Sequence, residues 1–369
     1  MFFKKQDSDQ EPYPFRQLNW AAVALIATGA ALWNPGPKDA AIAWVNRRFE
    51  LGMKLDIDAS YGVLAVILGV LLFLPHVAWS FGWRRQPKAT KVLALRHVSL
   101  NVSVPNHLRN GDLPPSLAKV LLTNLDCNQT MQLSSGALKF RDALGNQEKA
   151  TDDILVHRRT DSGTVVAYYG IAHIPLQVLF GYQLTTAVRA ELFELDQAAG
   201  RWRHIAPGSG ADLYPNLSHA PCAGQPTAAI VRVSVSAEVA LTDCTEIVTG
   251  PHDEFHVKVA KPARDIVTHA DQVNRIVGLF RDALDAATRR LPQGTRIHVF
   301  AAVPTSVGYS MGRLISQSMH AEVVVYNFSS QQTPRYSWGL RINVLHQGPS
   351  QVVRPNPVGV TGTVGEDVE

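Results

Sequence analysis

The chain has 369 residues, 46% of them hydrophobic and 18% charged, with a formal net charge of +4; this excludes a disordered polymer and leaves room for a sizeable core besides any membrane segment. Its Lys and Arg residues are scattered rather than gathered into runs, which argues against a duplex-DNA surface and leaves a small anionic ligand open. Cys127, Cys222 and Cys244 show no Cys-x-x-Cys spacing, so a disulfide framework, a zinc finger and a thioredoxin motif are set aside, and the soluble part is expected to face a reducing cytoplasm.

From the N-terminus, residues 1–17 form a short tail, and residues 18–85 read as two membrane-spanning helices joined by a short extracytoplasmic loop. Tyr61 to Trp83 contains no Asp, Glu, Lys or Arg, and at 1.5 Å per residue such a run crosses a hydrocarbon core of roughly 30 Å. The earlier run, Leu18 to Trp33, is shorter. Trp20 and Trp33 bracket it as interfacial anchors, and Asn34-Pro35-Gly36-Pro37 ends it. A cleaved signal peptide is the rival reading, but the acidic stretch from Asp7 to Pro14 makes a poor n-region and a second apolar run follows. Lys4, Lys5 and Arg16 before the first span, and Arg84, Arg85, Lys88 and Lys91 after the second, place both ends on the cytoplasmic side. Between the spans, Ala41, Ile42, Val45 and Phe49 recur at helical spacing, as in a short interfacial helix.

Gln86-Pro87-Lys88 reads as a linker into an α/β region divided at residues 91–225 and 226–346, with a flexible tail at 347–369. Two passages there are alike. Val165 to Pro175 and Ile297 to Pro304 are each an apolar strand ending in Ala-x-x-Pro and running into a helix. The first strand is expected to form a hairpin with Ile154 to Arg159 through the turn Asp161-Ser162-Gly163. The second leads into a helix from Thr305 to Met319 and a strand from Glu322 to Phe328, a βαβ unit. Ala229 to Val235 reads as a buried strand, and Ala263 to Leu291 as a long amphipathic helix stopped by Pro292 and Gly294. These elements make a small Rossmann-type sheet, whose ligands bind beyond the C-terminal strand ends, where helix N-termini offer unpaired N–H groups. Ser236 and the turn Pro304-Thr305-Ser306 fall there.

Two short motifs are weighed and set aside. Gly308-Tyr309-Ser310-Met311-Gly312 matches the Gly-x-Ser-x-Gly of a serine hydrolase, but Ser310 lies several residues past the end of its strand, and Glu322 is the only acid between it and His346. His252 and His256 are four apart, yet Glu254 is out of register for a zinc helix, and a loop after Gly250-Pro251 is expected instead. No catalytic residue, metal or cofactor is assigned.

The blocks Tyr168-Tyr169-Gly170-Ile171-Ala172-His173-Ile174-Pro175, Ser234-Val235-Ser236-Ala237-Glu238, His298-Val299-Phe300-Ala301-Ala302-Val303-Pro304 with Gly312-Arg313, and Val325-Tyr326-Asn327 with Tyr336-Ser337-Trp338 resemble SAVED domains, over roughly Lys91 to Asn343. The resemblance implies a pseudo-duplicated pair of CARF-like Rossmann-type subdomains that sense a cyclic oligonucleotide, here a cyclic di- or trinucleotide second messenger. SAVED modules preceded by two membrane spans are effectors of the bacterial CBASS anti-phage system. That implies a two-pass protein of the bacterial inner membrane with its SAVED domain in the cytoplasm. Ligand binding would drive self-association into oligomers or filaments, disruption of the lipid bilayer and abortive infection, with no enzymatic step and no duplex nucleic acid. Phosphates call for N–H groups, hydroxyls and cations, and bases call for aromatic faces. Ser236, Thr305 and Ser306 beside Pro304 are the phosphate or ribose candidates, Arg313 the charge partner, and Tyr169, Tyr326, Tyr336 and Trp338 the stacking residues. Each has an ordinary alternative as a cap or as packing. The second functional reading is a membrane-tethered scaffold that recruits a separate effector.

Overall fold

The structure, a computed structural model, describes residues 47, 89–102, 107–134, 139–185, 188–344 and 351–355. The tail at 1–17 and, apart from Arg47, the two spans expected at 18–85 lie outside the described residues. Among those described, no helix is long and apolar enough to cross a membrane. The chain divides into two units between Pro87 and Lys88, and every element named below belongs to the second.

Two sheets carry one topology twice. The first has β1 (Lys91–Val98), β2 (Leu121–Asn128), β3 (Thr164–Ile171), β4 (Arg189–Asp196) and β5 (Arg201–His204) in the order β2-β1-β3-β4-β5. Its first four strands are parallel, and β5 returns antiparallel beside β4. The second has β6 (Asn216–Ala220), β7 (Ala228–Ser234), β8 (His252–Lys258), β9 (Arg296–Ala302), β10 (Glu322–Phe328), β11 (Tyr336–Arg341) and β12 (Val352–Val353) in the order β12-β11-β10-β9-β7-β8-β6. Without its two outer strands this is β8-β7-β9-β10-β11, again four parallel strands and one antiparallel return. The helices repeat as well. After α1 (Thr130–Ser134), α2 (Phe140–Thr160) and α3 (Ile174–Leu184) flank β3; after α4 (Leu241–Thr245), α5 (Ala270–Arg290) and α6 (Thr305–Leu314) flank β9.

Local sequence accounts for most of these elements. β3 is buried along nearly its whole length, as a central parallel strand covered on both faces must be. α5 turns Val273, Ile276, Val277, Phe280 and Leu284 inward at helical spacing. At its start Gln272 Oε1 accepts the otherwise unpaired N–H groups of Thr268 and His269 at 2.7 and 3.0 Å. Arg289 and Arg290 in its last turn, like His157, Arg158 and Arg159 in that of α2, place basic groups at the negative ends of the helix dipoles.

The two halves are joined where α3 and α6 cross. A Cβ at Gly181 would strike the carbonyl of Tyr309, and one at Gly312 would strike the carbonyl of Val178. The two glycines hold equivalent places in their helices, so backbone meets backbone reciprocally, as only glycine allows. Each helix also reaches across: α3 contacts β10 and β11, and α6 contacts β3 and β4. Tyr168 of β3 stacks on Tyr309 of α6 at 4.3 Å between centroids. One large apolar core consequently runs from α2 and α3 through α6 to the second sheet.

Several sequence expectations change. Ile154 to Arg159 is the end of α2, and Asp161-Ser162-Gly163 is a helix-to-strand loop rather than a hairpin turn. α5 begins at Ala270, seven residues later than Ala263, because Thr268 and His269 form its cap; α6 ends at Leu314 instead of Met319. His252 to His256 lies in a strand, β8, not a loop. The division at 225/226 falls too late, since β6 already pairs with β8 of the second sheet. Nor is the tail wholly outside the fold: β12 adds to β11, and Gln351, 1% exposed, donates to the Arg341 carbonyl at 3.0 Å.

Candidate functional site

The parallel strands of both sheets end toward the N-termini of α2, α3, α5 and α6, and there the halves meet. At the end of β1, Ser99 Oγ accepts the His173 N–H at 2.7 Å and lies 2.7 Å from His173 Nδ1. With the hydroxyl hydrogen on Nδ1, the imidazole keeps its own hydrogen on Nε2. Burial pushes the His173 pKa down to about 4, so the ring is neutral near pH 7. His173 precedes α3, and its ring meets Trp338 of β11 edge-on at 5.5 Å; Trp338 in turn meets Phe140, the first residue of α2, at 4.9 Å. Below them a buried polar chain holds β1, β3, α2 and α3 in register. His97 Nδ1 lies 2.7 Å from the Tyr168 hydroxyl and Nε2 lies 3.0 Å from Gln129 Oε1, while the Gln129 amide donates to the Ala143 carbonyl at 2.7 Å. Desolvation takes His97 to a pKa of about 4, so this chain is neutral and fully paired.

The other half differs in charge. The N-terminus of α6, which a phosphate was expected to use, is already taken by an acidic side chain. Glu194 of β4 accepts the Ser306 N–H at 2.5 Å. Burial raises its pKa to about 7, against the lowering pull of Ser306, Thr305 and Arg203. β4 enters its ladder at Arg189 opposite Val165, and β10 enters at Glu322 opposite Arg296. Counting equally along both, Glu194 corresponds to Asn327, and their antiparallel partners Arg203 and Trp338 correspond to each other. One half therefore ends in a carboxylate beside a guanidinium, the other in an amide beside an indole. Arg203 is spent on the loop before α5, donating to the carbonyls of Asp265 and Val267 at 3.4 and 3.3 Å.

The structure separates the predicted ligand residues. Ser236 and Pro304 do lie at strand ends and are partly exposed, with the Ser236 N–H bonded to the Ala302 carbonyl at 2.8 Å. Thr305 and Ser306 are 8% and 0% exposed; they face the first half, the Thr305 hydroxyl donating to the Gly170 carbonyl at 3.1 Å. Arg313 is in the last turn of α6. It donates to the carbonyls of Thr185 and Val188 at 2.9 and 3.0 Å, closing the C-terminal end of α3.

The four aromatics are buried, at 0% for Tyr169, 2% for Tyr326 and Tyr336, and 4% for Trp338, and each packs within the protein. Tyr169 meets Trp202 edge-on, and Tyr326 stacks on Phe300 with its hydroxyl 2.9 Å from His298 Nδ1. Two residues apart on a regular strand, Tyr336 and Trp338 would share a face. A bulge opposite Asn327 and Phe328 inserts Ser337 and sends them to opposite faces. Of the four, only Trp338 reaches the junction of strand ends. Ser310 lies inside α6, whose glycines serve the crossing with α3. Among the described residues, no three His, Cys, Asp or Glu side chains are grouped to hold a metal ion.

Residues not singled out from the sequence also lie at this junction: Ser99, Phe140, His173 and Arg354. The Arg354 guanidinium lies 5.8 Å from the Phe140 ring centroid and is exposed. His173 sits inside a quoted block and could have been singled out. The other three depend on β12 and on the fold of residues 90–147, for which no local pattern was available.

The model of the SAVED family, described as the SMODS-associated and fused to various effectors sensor domain, matches residues 148–342. A comparison with curated proteins finds no match. Among solved structures, the Acinetobacter baumannii Cap4 SAVED/CARF-domain receptor with the cyclic trinucleotide 2′3′3′-cAAA is 11% identical at a TM-score of 0.41, covering 88% of this chain and 77% of that one. The same receptor with 3′3′3′-cAAA is 14% identical at a TM-score of 0.39, covering 64% and 50%, so the chain spans half of that protein's length. The Moraxella osloensis Cap4 receptor is 10% identical at a TM-score of 0.39, covering 80% and 64%.

Proposed function

Because this chain belongs to the SAVED family, we propose that it is a sensor whose strand-end junction takes a cyclic oligonucleotide, a cyclic di- or trinucleotide, and whose N-terminal segment carries the response to a membrane. The observation that carries the sensing step is the duplicated topology. Two parallel sheets, joined through α3 and α6, bring two sets of strand ends to one place, the position at which open α/β sheets take their ligands. A ring with repeated phosphates and bases suits such a repeated surface. The junction is made of pieces of both halves, so a ligand that binds one arrangement of those pieces better than another shifts the population toward it, and with it any assembly that favours that arrangement.

For the response we favour membrane disruption by hairpins clustered through self-association, on the strength of the uncharged run from Tyr61 to Trp83. Recruitment of a separate effector is the alternative. Titration of the detergent-purified chain with cyclic di- and trinucleotides tests the first step, and absence of a heat signal with all of them overturns the sensing role. Dye release from liposomes carrying the protein, on addition of the bound nucleotide, tests the second. Tight binding without release favours recruitment.

A further inference from the structure

We propose that Arg354, delivered by β12, is the cationic contact for a phosphate of the ligand, on the wall formed by Phe140, Trp338 and His173. The inference rests on the sensing role proposed above and assigns a residue to that site. It begins from what the helix N-termini no longer offer. Glu194 occupies the start of α6. At α3, Pro175 has no N–H, while the N–H groups of Leu176 and Gln177 are taken by the His173 carbonyl at 3.0 and 3.1 Å and that of His173 by Ser99. Two cations near the strand ends are already committed, Arg203 to carbonyls and Lys258 to Glu238 at 2.7 Å; Lys139, Arg141, Lys261 and Arg264 lie on the loops and first turns before α2 and α5, away from Trp338 along the chain. A neutral His173 supplies a donor but no charge.

Arg354 does supply charge, and the register aims it. β12 runs antiparallel to β11 with Leu340 opposite Val352 and Gly339 opposite Val353. Extended by one residue past the end of β12, the same register sets Arg354 opposite Trp338. Directly opposed residues share a face, so Arg354 emerges beside the indole, on the side where Trp338 meets Phe140 and His173. Its guanidinium stands over the Phe140 ring, an arrangement that orients an arginine without consuming its donors. No carboxylate of the described residues pairs with it, and its planar fork suits bidentate contact with phosphate. The segment carrying it is fixed by the β11 ladder and by the buried Gln351, so ordering this one side chain costs little at binding.

The test uses the full chain in detergent and 3′3′3′-cyclic tri-AMP, extended to other cyclic di- and trinucleotides if it does not bind. Arg354→Ala is expected to weaken binding about tenfold or more and to make the affinity less sensitive to salt, because one charge–charge contact open to screening is gone. Arg354→Lys should restore the salt sensitivity and part of the affinity. Thermal unfolding of the alanine variant should match the parent, since the side chain is exposed. If the parent binds and Arg354→Ala binds equally well with the same salt sensitivity, the assignment is wrong while the sensing role stands, and the guanidinium merely covers Phe140. If the parent binds none of the nucleotides, the sensing role and this assignment fall together.

Discussion

Glu194 at the junction and Arg313 at the C-terminal end of α3 show how single side chains are committed to the protein itself. Glu194 is a buried acid whose pKa burial raises to about 7, facing Ser306 and Thr305 on α6, Arg203 on β5 and Tyr168 on β3. An acid whose folded pKa lies above its unfolded value holds its proton longer when folded. Stability is therefore lost as pH rises from about 4.5 to about 7 and is restored on acidification. Glu194→Gln keeps an oxygen for the Ser306 N–H and removes the buried charge. It is expected to be more stable than the parent at pH 8 by on the order of 2 kcal/mol, with the advantage vanishing near pH 5, as measured by urea midpoints. A variant less stable at pH 8 would show that the carboxylate is a net stabilising anion at the helix end. For Arg313→Ala, loss of the contacts to Thr185 and Val188 should cost about 1–2 kcal/mol and leave nucleotide affinity unchanged. A tenfold loss of affinity at equal fold would return Arg313 to the ligand site.

Among the elements, the α3/α6 crossing decides whether the halves hold together. Gly312→Ala would force the α6 backbone away from the Val178 carbonyl, and a cost of about 3 kcal/mol or more is expected in urea unfolding. Gly278→Ala in α5 is the matched control. Nothing lies within 4 Å of its added Cβ, so it should be neutral or stabilising by up to about 1 kcal/mol, the ordinary gain of alanine in a helix. Equal effects at the two positions would mean that the crossing is not the constraint. The Gly-x-Ser-x-Gly pattern thereby has a structural explanation: Gly308 makes room for Gln177 and Gly312 for the backbone of α3. α2 illustrates how an element escapes a local reading. Its mean polarity is high, and its buried positions include Gln147 and Thr151, which pair inside the polar chain rather than marking an apolar stripe. Ser337 is a second case, since one inserted residue reversed the face of Tyr336 relative to Trp338.

For the molecule as a whole, the proposal joins a sensor after Lys88 to a membrane segment before Pro87, the two units into which the chain divides. Removal of residues 1–85 is expected to abolish membrane damage in cells while leaving nucleotide affinity unchanged. Toxicity that persists in the truncated protein, read by growth and by dye uptake, would rule out the hairpin as the effector. Affinity that falls with the truncation would instead mean that the first unit takes part in binding.

The strands β3, β7, β9 and β10, the helices after β3 and β9 and the parallel βαβ order were legible in the amino-acid order, because buried parallel strands and helix periodicity are written within a few residues of each position. The uncharged run at Tyr61 to Trp83 was equally plain, since hydropathy is additive along a chain. The site was not. Whether an exposed-looking serine, tyrosine or arginine meets solvent, ligand or a neighbouring carbonyl depends on partners more than a hundred residues away, as Ser306 on Glu194 and Arg313 on Thr185 demonstrate. Sheet register settled the rest: it turned Trp338 toward His173, Tyr336 away from it, and Arg354 back onto Phe140. Pairing across strands is a property of two segments at once, and neither segment alone records it.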